Sequence, residues 1–522
     1  MSYWSLRTCA AHVKLEANPS MDASAWSISA IRDAIVKGRE PPPLQSLARR
    51  SFYRWLVVAV VSIGAFMGQV DASIAQLLLP TLERTFGATL SSVSWVAVAY
   101  LLTMAALMPV FGRLADILGH KLLYVAGFVV FVVGSALCGF APDLPILIAS
   151  RILQAIGGAL LSANSVAIVV SAAGPRERGR AVGVQAAAQA VGLSAGPVVG
   201  GVLLNTLGWQ WVFWINVPFG ILGAFAGWLI LPKTTNLSKD KYFDLRGALL
   251  LGPMLTAFML VLNEGYAWGV SSPAFIVAAI VGLTLLFLLV REERRAEEPL
   301  LNPQLFERLA FTAANAGSLM SYALLFGVML LMPFVFENGY QDTPLQAGLR
   351  LAIIPIAISL VAPVSGLLFD RFGPRLPTLT GMIICSASLV LLYFSLAEAR
   401  ADLLGVMIAL GIFGMGQGLF TAANNAAIMA AAPADLIGEA GGLLNVTRAF
   451  GISLGIAGAS LVLSLSLKAL GDTSGSTFQA APADLLVASR DVVLFLILFA
   501  IAAAGASVLS TRRSTSRSGP DT

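Results

Sequence analysis

Charged residues are scarce in this sequence. Asp, Glu, Lys and Arg make up 12% of its 522 residues, whereas soluble globular domains carry about 25%. So few charges do not cover the surface of a water-soluble globule of this length. The formal net charge is +5, and no basic stretch interleaved with aromatic residues occurs, so no nucleic-acid partner is predicted.

Cysteine and histidine are scarce as well, which excludes several kinds of site. The three cysteines, Cys9, Cys138 and Cys385, are widely separated, and the chain has two histidines. This composition provides neither a disulfide framework nor a set of metal ligands. Neither a G-x-x-x-x-G-K-[ST] phosphate loop nor an H-E-x-x-H zinc motif is present. We therefore predict no metal, no cofactor, no ATP site and no enzymatic activity.

Apolar residues dominate instead. Hydrophobic residues make up 57% of the chain, and the mean hydropathy is +0.82. Most apolar runs are roughly 20 to 25 residues long, enough for a helix to cross about 30 Å of hydrocarbon. They lack the strict alternation of barrel strands, and lipid requires backbone hydrogen bonds to close within each segment. The predicted fold class is an all-α integral membrane protein, with the lipid bilayer as its first partner.

Hydropathy predicts fourteen transmembrane helices between residues 55 and 511. Most Lys and Arg residues lie on the side of the first tail, which predicts a multi-pass protein of the cytoplasmic (inner) membrane with both termini cytoplasmic. The predicted domains are an N-terminal tail (1–54), a first six-helix half (55–232), an inserted two-helix pair with linkers (233–308), a second six-helix half (309–511) and a C-terminal tail (512–522).

Two segments with the same skeleton indicate that the halves are duplicates. GRLADILGHK at Gly112–Lys121 and GLLFDRFGPR at Gly366–Arg375 lie 366 − 112 = 254 residues apart. Three glycines also recur 259 residues later: Gly183, Gly192 and Gly196 as Gly442, Gly451 and Gly455. Parallel repeats of this kind are typical of transporters that rock one half against the other around a central site. Spans one to six pair with spans nine to fourteen, which leaves spans seven and eight as an insertion.

Several motifs resemble the major facilitator superfamily. Its loop signature is similar to Gly112-x-x-x-Asp116-x-x-Gly119-x-Lys121, and its antiporter signature to Gly192-x-x-x-Gly196-Pro197-x-x-Gly200-Gly201 on span five. Three further motifs resemble the 14-helix drug:proton antiporter branch: Asp71-x-Ser73-Ile74, Arg151-x-x-Gln154-x-x-Gly157 and Trp211-x-x-x-Ile215-Asn216-x-Pro218-x-Gly220. The resemblance covers roughly residues 55–511. At Ser73, Gln76 and Ala155 the sequence differs from the residues usual in this family. These differences concern the identity of the substrate more than the coupling to protons.

The resemblance implies a gating latch at the loop signatures. Asp116 would face the start of span thirteen and Asp370 the start of span five, where a carboxylate opposes the positive end of a helix. The basic loop residues have the alternative role of topology anchors. The predicted latch residues are Gly112, Asp116, Gly119, Lys121, Gly366, Asp370, Gly373 and Arg375.

The antiporter signature predicts a hinge. Small residues on one helix face let backbones approach closely, and proline removes a hydrogen bond and bends the helix. The predicted hinge residues are Gly192, Gly196, Pro197, Gly200 and Gly201.

Two charged residues lie inside predicted spans, where ionisable groups are costly and usually functional. Asp71 precedes Pro80, taken as the outer end of its span, by nine residues, and Arg151 follows Pro145 by six. At helical rise these separations are ~13 Å and ~9 Å, so a contact is possible. We predict that Asp71 binds the transported proton and that Arg151 tunes it. A static ion pair is the alternative.

A drug-binding cavity should be large, apolar and sparsely polar. From spans two, nine and twelve, the predicted lining includes Trp95, Tyr100, Asn315, Gln417 and Asn424. Arg448 on span thirteen is a third charge inside a span; its interpretation as a structural residue, pairing with Glu439 or reaching the inner end, is favoured.

The predicted function is proton-coupled antiport that exports hydrophobic or cationic drug-like compounds. The energy comes from the proton gradient. A transporter of one metabolite with the same fold is the alternative, and a membrane sensor on a transporter scaffold is less favoured because the tails are short. The predicted partners are the bilayer, a small hydrophobic substrate and protons. The sequence does not exclude a periplasmic adaptor as a further partner.

Overall fold

The computed structural model describes residues 43–50, 52–174, 177–234, 245–268, 271–295, 303–396, 403–433, 436–471, 477 and 479–510. The predicted C-terminal tail and most of the predicted N-terminal tail lie outside these residues. The described part is helical, with no β-strand, as the sequence predicts.

Fourteen helices match the fourteen predicted spans. Thirteen of the described helices are long and apolar enough to cross a membrane, and α7 adds the shorter apolar stretch Leu249–Val261. The helices are α1 Tyr53–Phe86, α2 Leu90–Leu118, α3 His120–Gly139, α4 Leu144–Ala173, α5 Arg178–Thr206, α6 Gln210–Ile230, α7 Leu245–Trp268, α8 Pro273–Glu293, α9 Leu309–Gly339, α10 Pro344–Phe372, α11 Arg375–Ser395, α12 Leu403–Ala431, α13 Ile437–Ala469 and α14 Pro482–Ser510.

Pro80 does not end the first span, so that boundary prediction was wrong. The helix continues through Pro80 to Phe86 and stops at Gly87, whose φ of 58° is left-handed. A membrane helix tolerates an internal proline because neighbouring groups satisfy the freed backbone carbonyl.

The two loop signatures form tight turns. Gly119 between α2 and α3 has a φ of 108°, and Gly373 between α10 and α11 has a φ of 74°. Glycine takes these values without a Cβ penalty. We call the end of the bundle that carries these turns the motif end, and the end that carries Gly87 the far end.

Helix packing repeats between the halves. A Cβ on Gly192 of α5 would lie 2.6 Å from the Phe66 carbonyl oxygen of α1, and a Cβ on Gly451 of α13 would lie 2.5 Å from the Leu319 carbonyl oxygen of α9. The glycines are 259 residues apart and their partners 319 − 66 = 253. Equivalent glycines therefore bring equivalent helices into backbone contact.

The same relation holds for two other helix pairs. Gly157 of α4 packs on the backbone of Phe131 in α3, and Gly416 of α12 packs on the backbone nitrogen of Cys385 in α11. The offsets are again 416 − 157 = 259 and 385 − 131 = 254. The fold is thus two six-helix repeats, with α7 and α8 inserted between them.

The outer surface is strongly apolar. Large side chains are more than two-thirds exposed on several helices, including Leu360, Leu367, Phe394 and Leu404. A continuous apolar exterior of this kind is unfavourable in water and suits hydrocarbon. The chain is a multi-pass membrane protein.

Candidate functional site

Asp71 lies in the middle of α1, 2% exposed, with both carboxylate oxygens occupied. Arg151 Nη1 donates to Asp71 Oδ2 at 2.8 Å. Gln154 Nε2 and Asn216 Nδ2 donate to Asp71 Oδ1 at 2.9 and 3.1 Å. The predicted contact between Asp71 and Arg151 is therefore present. Because every partner donates, the arrangement fits an ionised carboxylate.

Arg151 also contacts α2 through a hydrogen bond and an aromatic ring. Its Nε donates to the Val96 carbonyl of α2 at 3.1 Å, and its guanidinium carbon lies 4.1 Å from the centre of the Tyr100 ring. Arg151 itself is 1% exposed. A cation stacked on an aromatic face and paired with a carboxylate is well compensated for burial.

Gln154 and Asn216 are partners that the sequence interpretation missed. Gln154 also donates to Ser135 Oγ at 2.8 Å and accepts from Arg151 at 2.5 Å, so both ends of its amide are used. Its position three residues after Arg151 puts both on one face of α4, which is the signal that could have revealed it. Asn216 stands at the break between the two segments of α6.

Local packing fixes α4 at this depth. Asp143 caps the helix by accepting a hydrogen bond from the Ile146 amide at 2.8 Å, and Pro145 occupies the first turn. A Cβ on Gly134 of α3 would lie 2.5 Å from the backbone of Gln154. The close approach of α3 therefore sets where Gln154 can reach.

The second half has no equivalent of this cluster. The repeat offsets place Asp71, Arg151 and Gln154 at the buried apolar residues Leu324, Leu410 and Phe413. The polar site thus belongs to the first half alone.

A cavity of about 240 Å³ lies on the motif-end side of this cluster, between the halves. Tyr100 lines it and stacks on Arg151, so this ring is part of the wall between the cavity and the ion pair. Its hydroxyl packs over Gly158, where a Cβ would lie 2.8 Å away. Residues from α1, α2, α3, α4, α5, α9 and α13 contribute to the lining.

Of the five predicted lining residues, Tyr100 alone lines this cavity. Trp95 donates to Glu264 Oε1 of α7 at 2.6 Å, towards the far end. The three amides lie inside the second half: Gln417 accepts from Ser321 at 2.8 Å, Asn424 donates to the Ala314 carbonyl at 2.9 Å, and Asn315 donates to the Phe311 carbonyl at 3.0 Å. None of these four residues lines this cavity, because Trp95 contacts α7, Gln417 and Asn424 bond between α9 and α12, and Asn315 bonds within α9.

The antiporter signature packs on both halves. Gly196 lies against Ser73 of α1, and a Cβ on Gly200 would lie 2.9 Å from Ile74. Further along, a Cβ on Gly201 would lie 2.8 Å from the Pro344 carbonyl oxygen of α10. The carbonyl oxygen of Pro197 lies against Gly348 of α10. This face of α5 therefore joins the halves near the far end.

A polar network that is buried except for Arg84 also closes the far end. Arg84 at the end of α1 donates to Glu337 Oε2 at 3.2 Å and to Asn338 Oδ1 at 2.5 Å, both at the end of α9. Glu83 accepts from the Thr477 backbone nitrogen at 2.7 Å and from the Thr477 hydroxyl. Asn338 in turn donates to Thr477 Oγ1 at 3.1 Å. These bonds join the first half to the second.

Arg84→Gln is expected to loosen this closure. The change leaves the buried Glu337 carboxylate without its cation, and losing a hydrogen bond to a charged group costs roughly 1.5–3 kcal/mol. Double electron-electron resonance can measure the distance between spin labels at Leu207 and Leu470 in a cysteine-free background. The variant should show a larger population with the far end open. Arg246→Gln removes an ion pair between α7 and α8 and should leave the distances unchanged. Identical distributions in Arg84→Gln and the native chain would assign the closure to other contacts.

The motif end is less tightly packed. A Cβ on Gly112, Gly183, Gly366 or Gly442 would meet no atom within 4 Å. Asp116 lies 3.5 Å from His120 Nε2 on the next helix. The side chains at the starts of α5 and α13, residues 178–179 and 437–439, lie outside the described residues, and so do the predicted latch contacts and Glu439.

The remaining predicted latch residues differ in burial. Lys121 is 1% exposed, with its Nζ 6.0 Å from the centre of the Trp228 ring. Asp370 and Arg375 are exposed at the surface of the motif end. The two copies of the loop signature are therefore alike in their turns and unlike in their surroundings.

Comparisons with known proteins agree on one family. The model of the Major Facilitator Superfamily matches residues 61–456. The riboflavin transporter RibZ of Clostridioides difficile (strain 630) is 34% identical over 404 residues, which cover 77% of this chain and 87% of that protein. The multidrug resistance protein Stp of Mycobacterium tuberculosis (strain CDC 1551 / Oshkosh) is 33% identical over 419 residues, 79% of this chain and 76% of that protein.

A further relative and a solved structure extend the likeness. The tetracenomycin C resistance and export protein of Streptomyces glaucescens is 29% identical over 409 residues, 77% of this chain and 74% of that protein. The crystal structure of a bacterial homolog to the human lysosomal transporter Spinster, in an inward-facing and unoccupied conformation, has a TM-score of 0.64 at 16% identity and covers 88% of this chain and 98% of that chain. At this identity the likeness concerns the fold.

Proposed function

The chain belongs to the major facilitator superfamily, and from this premise we propose that it is a proton-coupled antiporter that exports hydrophobic, drug-like compounds across the cytoplasmic membrane. Members of this family are transporters and not enzymes. The two Gly-x-Ser-x-Gly segments, residues 192–196 and 451–455, lie within α5 and α13 and not at the strand-to-helix turn that a nucleophile motif needs.

The observation that carries the proposal is the buried pair of Asp71 and Arg151 behind the cavity wall. A charged pair at membrane depth is expensive and persists where it has a function. Protonation of Asp71 removes its negative charge and weakens its bonds to Arg151, Gln154 and Asn216. A carboxyl that exchanges one proton per cycle thereby changes the contacts that hold α1, α4 and α6 together.

Alternating access follows from the two ends of the bundle. With the motif end in the cytoplasm, as the distribution of Lys and Arg favours, the described state is inward-facing. The cavity then receives substrate from the inside while the far-end network excludes the outside. Rocking of the halves would break the bonds of Arg84 and Glu83 and close the motif end, where the Asp116 and Asp370 turns act as the latch and α5 around Pro197 as the hinge.

Transport of one metabolite is the second candidate function. The relative named as a riboflavin transporter is as similar to the chain as those named for multidrug resistance. A metabolite transporter would show saturable transport of one compound and no wide resistance.

A susceptibility panel in an efflux-deficient bacterial host tests the proposal. Expression of the chain should raise the tolerated concentration of several unrelated hydrophobic compounds, and a protonophore should remove the effect. Resistance that survives the protonophore would contradict proton coupling. Resistance to no compound, together with uptake or export of one metabolite, would favour the second candidate.

A further inference from the structure

The charge inside the cavity is entirely positive. Among the described residues that line the cavity, none is Asp, Glu, Lys or His, and the charged one is Arg448 of α13. Asp71 lies behind the wall, 2% exposed, with its oxygens held by Arg151 and two amides. A cationic substrate would therefore meet a like charge in the cavity and no carboxylate.

Arg448 lacks a polar partner in the described part of the chain. Its guanidinium carbon lies 5.3 Å from the centre of the Tyr322 ring, and no hydrogen bond or ion pair to a described residue accompanies this contact. Guanidinium offers five donors in a planar fork that matches a carboxylate. A cation that lines a cavity, with donors that no described residue occupies, is available to bind an anion.

The depth of Arg448 argues against the structural role expected from the sequence. It stands 448 − 437 = 11 residues inside α13, which corresponds to ~16 Å along the helix from its first residue. Glu439 precedes it by nine residues, or two and a half turns, so that the two positions are on opposite sides of the helix.

The residue of the first half that is equivalent to Arg448 also lines the cavity. Gln189 of α5 occupies the equivalent position, since 448 − 189 = 259, and it also lines the cavity. Gln69 of α1 lines it too, at the position equivalent to Tyr322, since 322 − 69 = 253. Asn445 lies one helical turn before Arg448 on the same face. Three uncharged amides therefore line the same cavity as this one guanidinium.

The rest of the lining is apolar and partly aromatic. Tyr100, Met104, Phe131 and Phe326 contribute large side chains. Aromatic faces and thioether groups bind flat apolar ring systems without demanding one shape. The cavity thus combines an apolar surface with one positively charged side chain, that of Arg448.

We propose that the preferred substrates are flat, amphipathic compounds that carry a negative charge, with Arg448 pairing with that charge. The inference rests on the proposed export function and replaces the cationic substrates expected from the sequence with anionic ones. Arg448 is the residue that selects charge, while Asp71 remains the residue that exchanges the proton.

Two probes of the same ring system test this proposal by binding alone. Acridine-9-carboxylate is an anion at neutral pH and 9-aminoacridine is a cation, and both fluoresce. The purified full chain in detergent should bind the carboxylate at least ~10-fold more tightly than the amine. Equal binding, tighter binding of the amine, or binding of neither probe would overturn the proposal, and these native measurements need no variant to fold.

Substitution of Arg448 then tests whether this residue causes the preference for the carboxylate probe. Arg448→Gln, which installs the residue found at the equivalent position of the first half, should lower carboxylate affinity ~10-fold and leave amine affinity unchanged or raised. Arg448→Lys should retain part of the preference because it keeps the charge and loses the fork. Arg490→Gln removes an arginine that lies against Tyr393 outside the cavity and should have no effect. An equal loss for both probes in Arg448→Gln would refute charge selection.

The binding assay is independent of proton coupling. Asp71→Asn should keep the preference for the carboxylate, since its side chain does not line the cavity. If Asp71→Asn still exports against a gradient while the native chain prefers the anion, the coupling proposal fails and charge selection stands.

Discussion

Asp71→Asn is expected to abolish proton-driven export, with a loss on the order of 100-fold or more, as for residues that transfer protons in other systems. Asparagine keeps the shape of aspartate and can still accept from Arg151, Gln154 or Asn216, but it neither binds nor releases a proton. The cavity lies on the other side of Tyr100, so binding of substrate should persist. Export into everted membrane vesicles energised by a proton gradient measures the first expectation, and binding to purified protein measures the second.

Conservative and distant substitutions serve as controls for Asp71. Asp71→Glu keeps the carboxyl group and should retain part of the export. Glu264→Gln removes a carboxylate that accepts bonds from Trp95 and Ser91 near the far end, and it should remain coupled. Gradient-dependent export at native rates by Asp71→Asn would show that the proton binds elsewhere, with Glu264 and Glu337 as the next acids to examine.

Gly348→Ala is expected to disfavour the state described here. A Cβ at this position would overlap the carbonyl oxygen of Pro197 and would lie 3.2 Å from the Gly201 Cα. Both neighbours are backbone atoms of α5 in the other half, so relief requires the halves to separate at the far end. Overpacking of this kind costs typically 1–3 kcal/mol, so the ratio of molecules with the far end closed to molecules with it open should fall about tenfold. Transport should fall with it, because the cycle needs both states.

Spin-label distances between Leu207 and Leu470 measure this effect. Gly201→Ala should act in the same direction, since its Cβ would lie 2.8 Å from the Pro344 carbonyl oxygen. Gly505→Ala in α14 is the matched control, because a Cβ there meets no atom within 4 Å. A native distance distribution in Gly348→Ala would show that α5 and α10 do not set the far-end closure.

The helical framework and the central ion pair were accessible from the sequence because both rest on local rules. Hydropathy runs reveal spans, and a charge inside a span is conspicuous wherever it occurs. The repeat offset was visible because glycines at helix contacts tolerate no side chain. The same physics explains why Gly192 and Gly451 meet equivalent backbone atoms.

Polar residues were harder to assign, because a sequence does not reveal which neighbour satisfies them. Gln417 and Asn424 seemed suited to a substrate and instead bond across α9 and α12. Conversely, the far-end network joins Glu83 to Thr477 across 394 residues, and no local pattern signals such a contact. Arg448 was interpreted as structural for the same reason, since its lack of a described polar partner is visible in three dimensions alone.

The most direct test of the central claim is the pH dependence of the far-end distance. In the described state the Asp71 carboxylate accepts three bonds that link α1, α4 and α6, so its protonation should weaken these links and favour the alternative state. Lowering the pH should therefore open the far end in the native chain, as the distance between labels at Leu207 and Leu470 would report. Asp71→Asn should show no pH response, while Glu264→Gln keeps it. A native response to pH in Asp71→Asn would contradict the account.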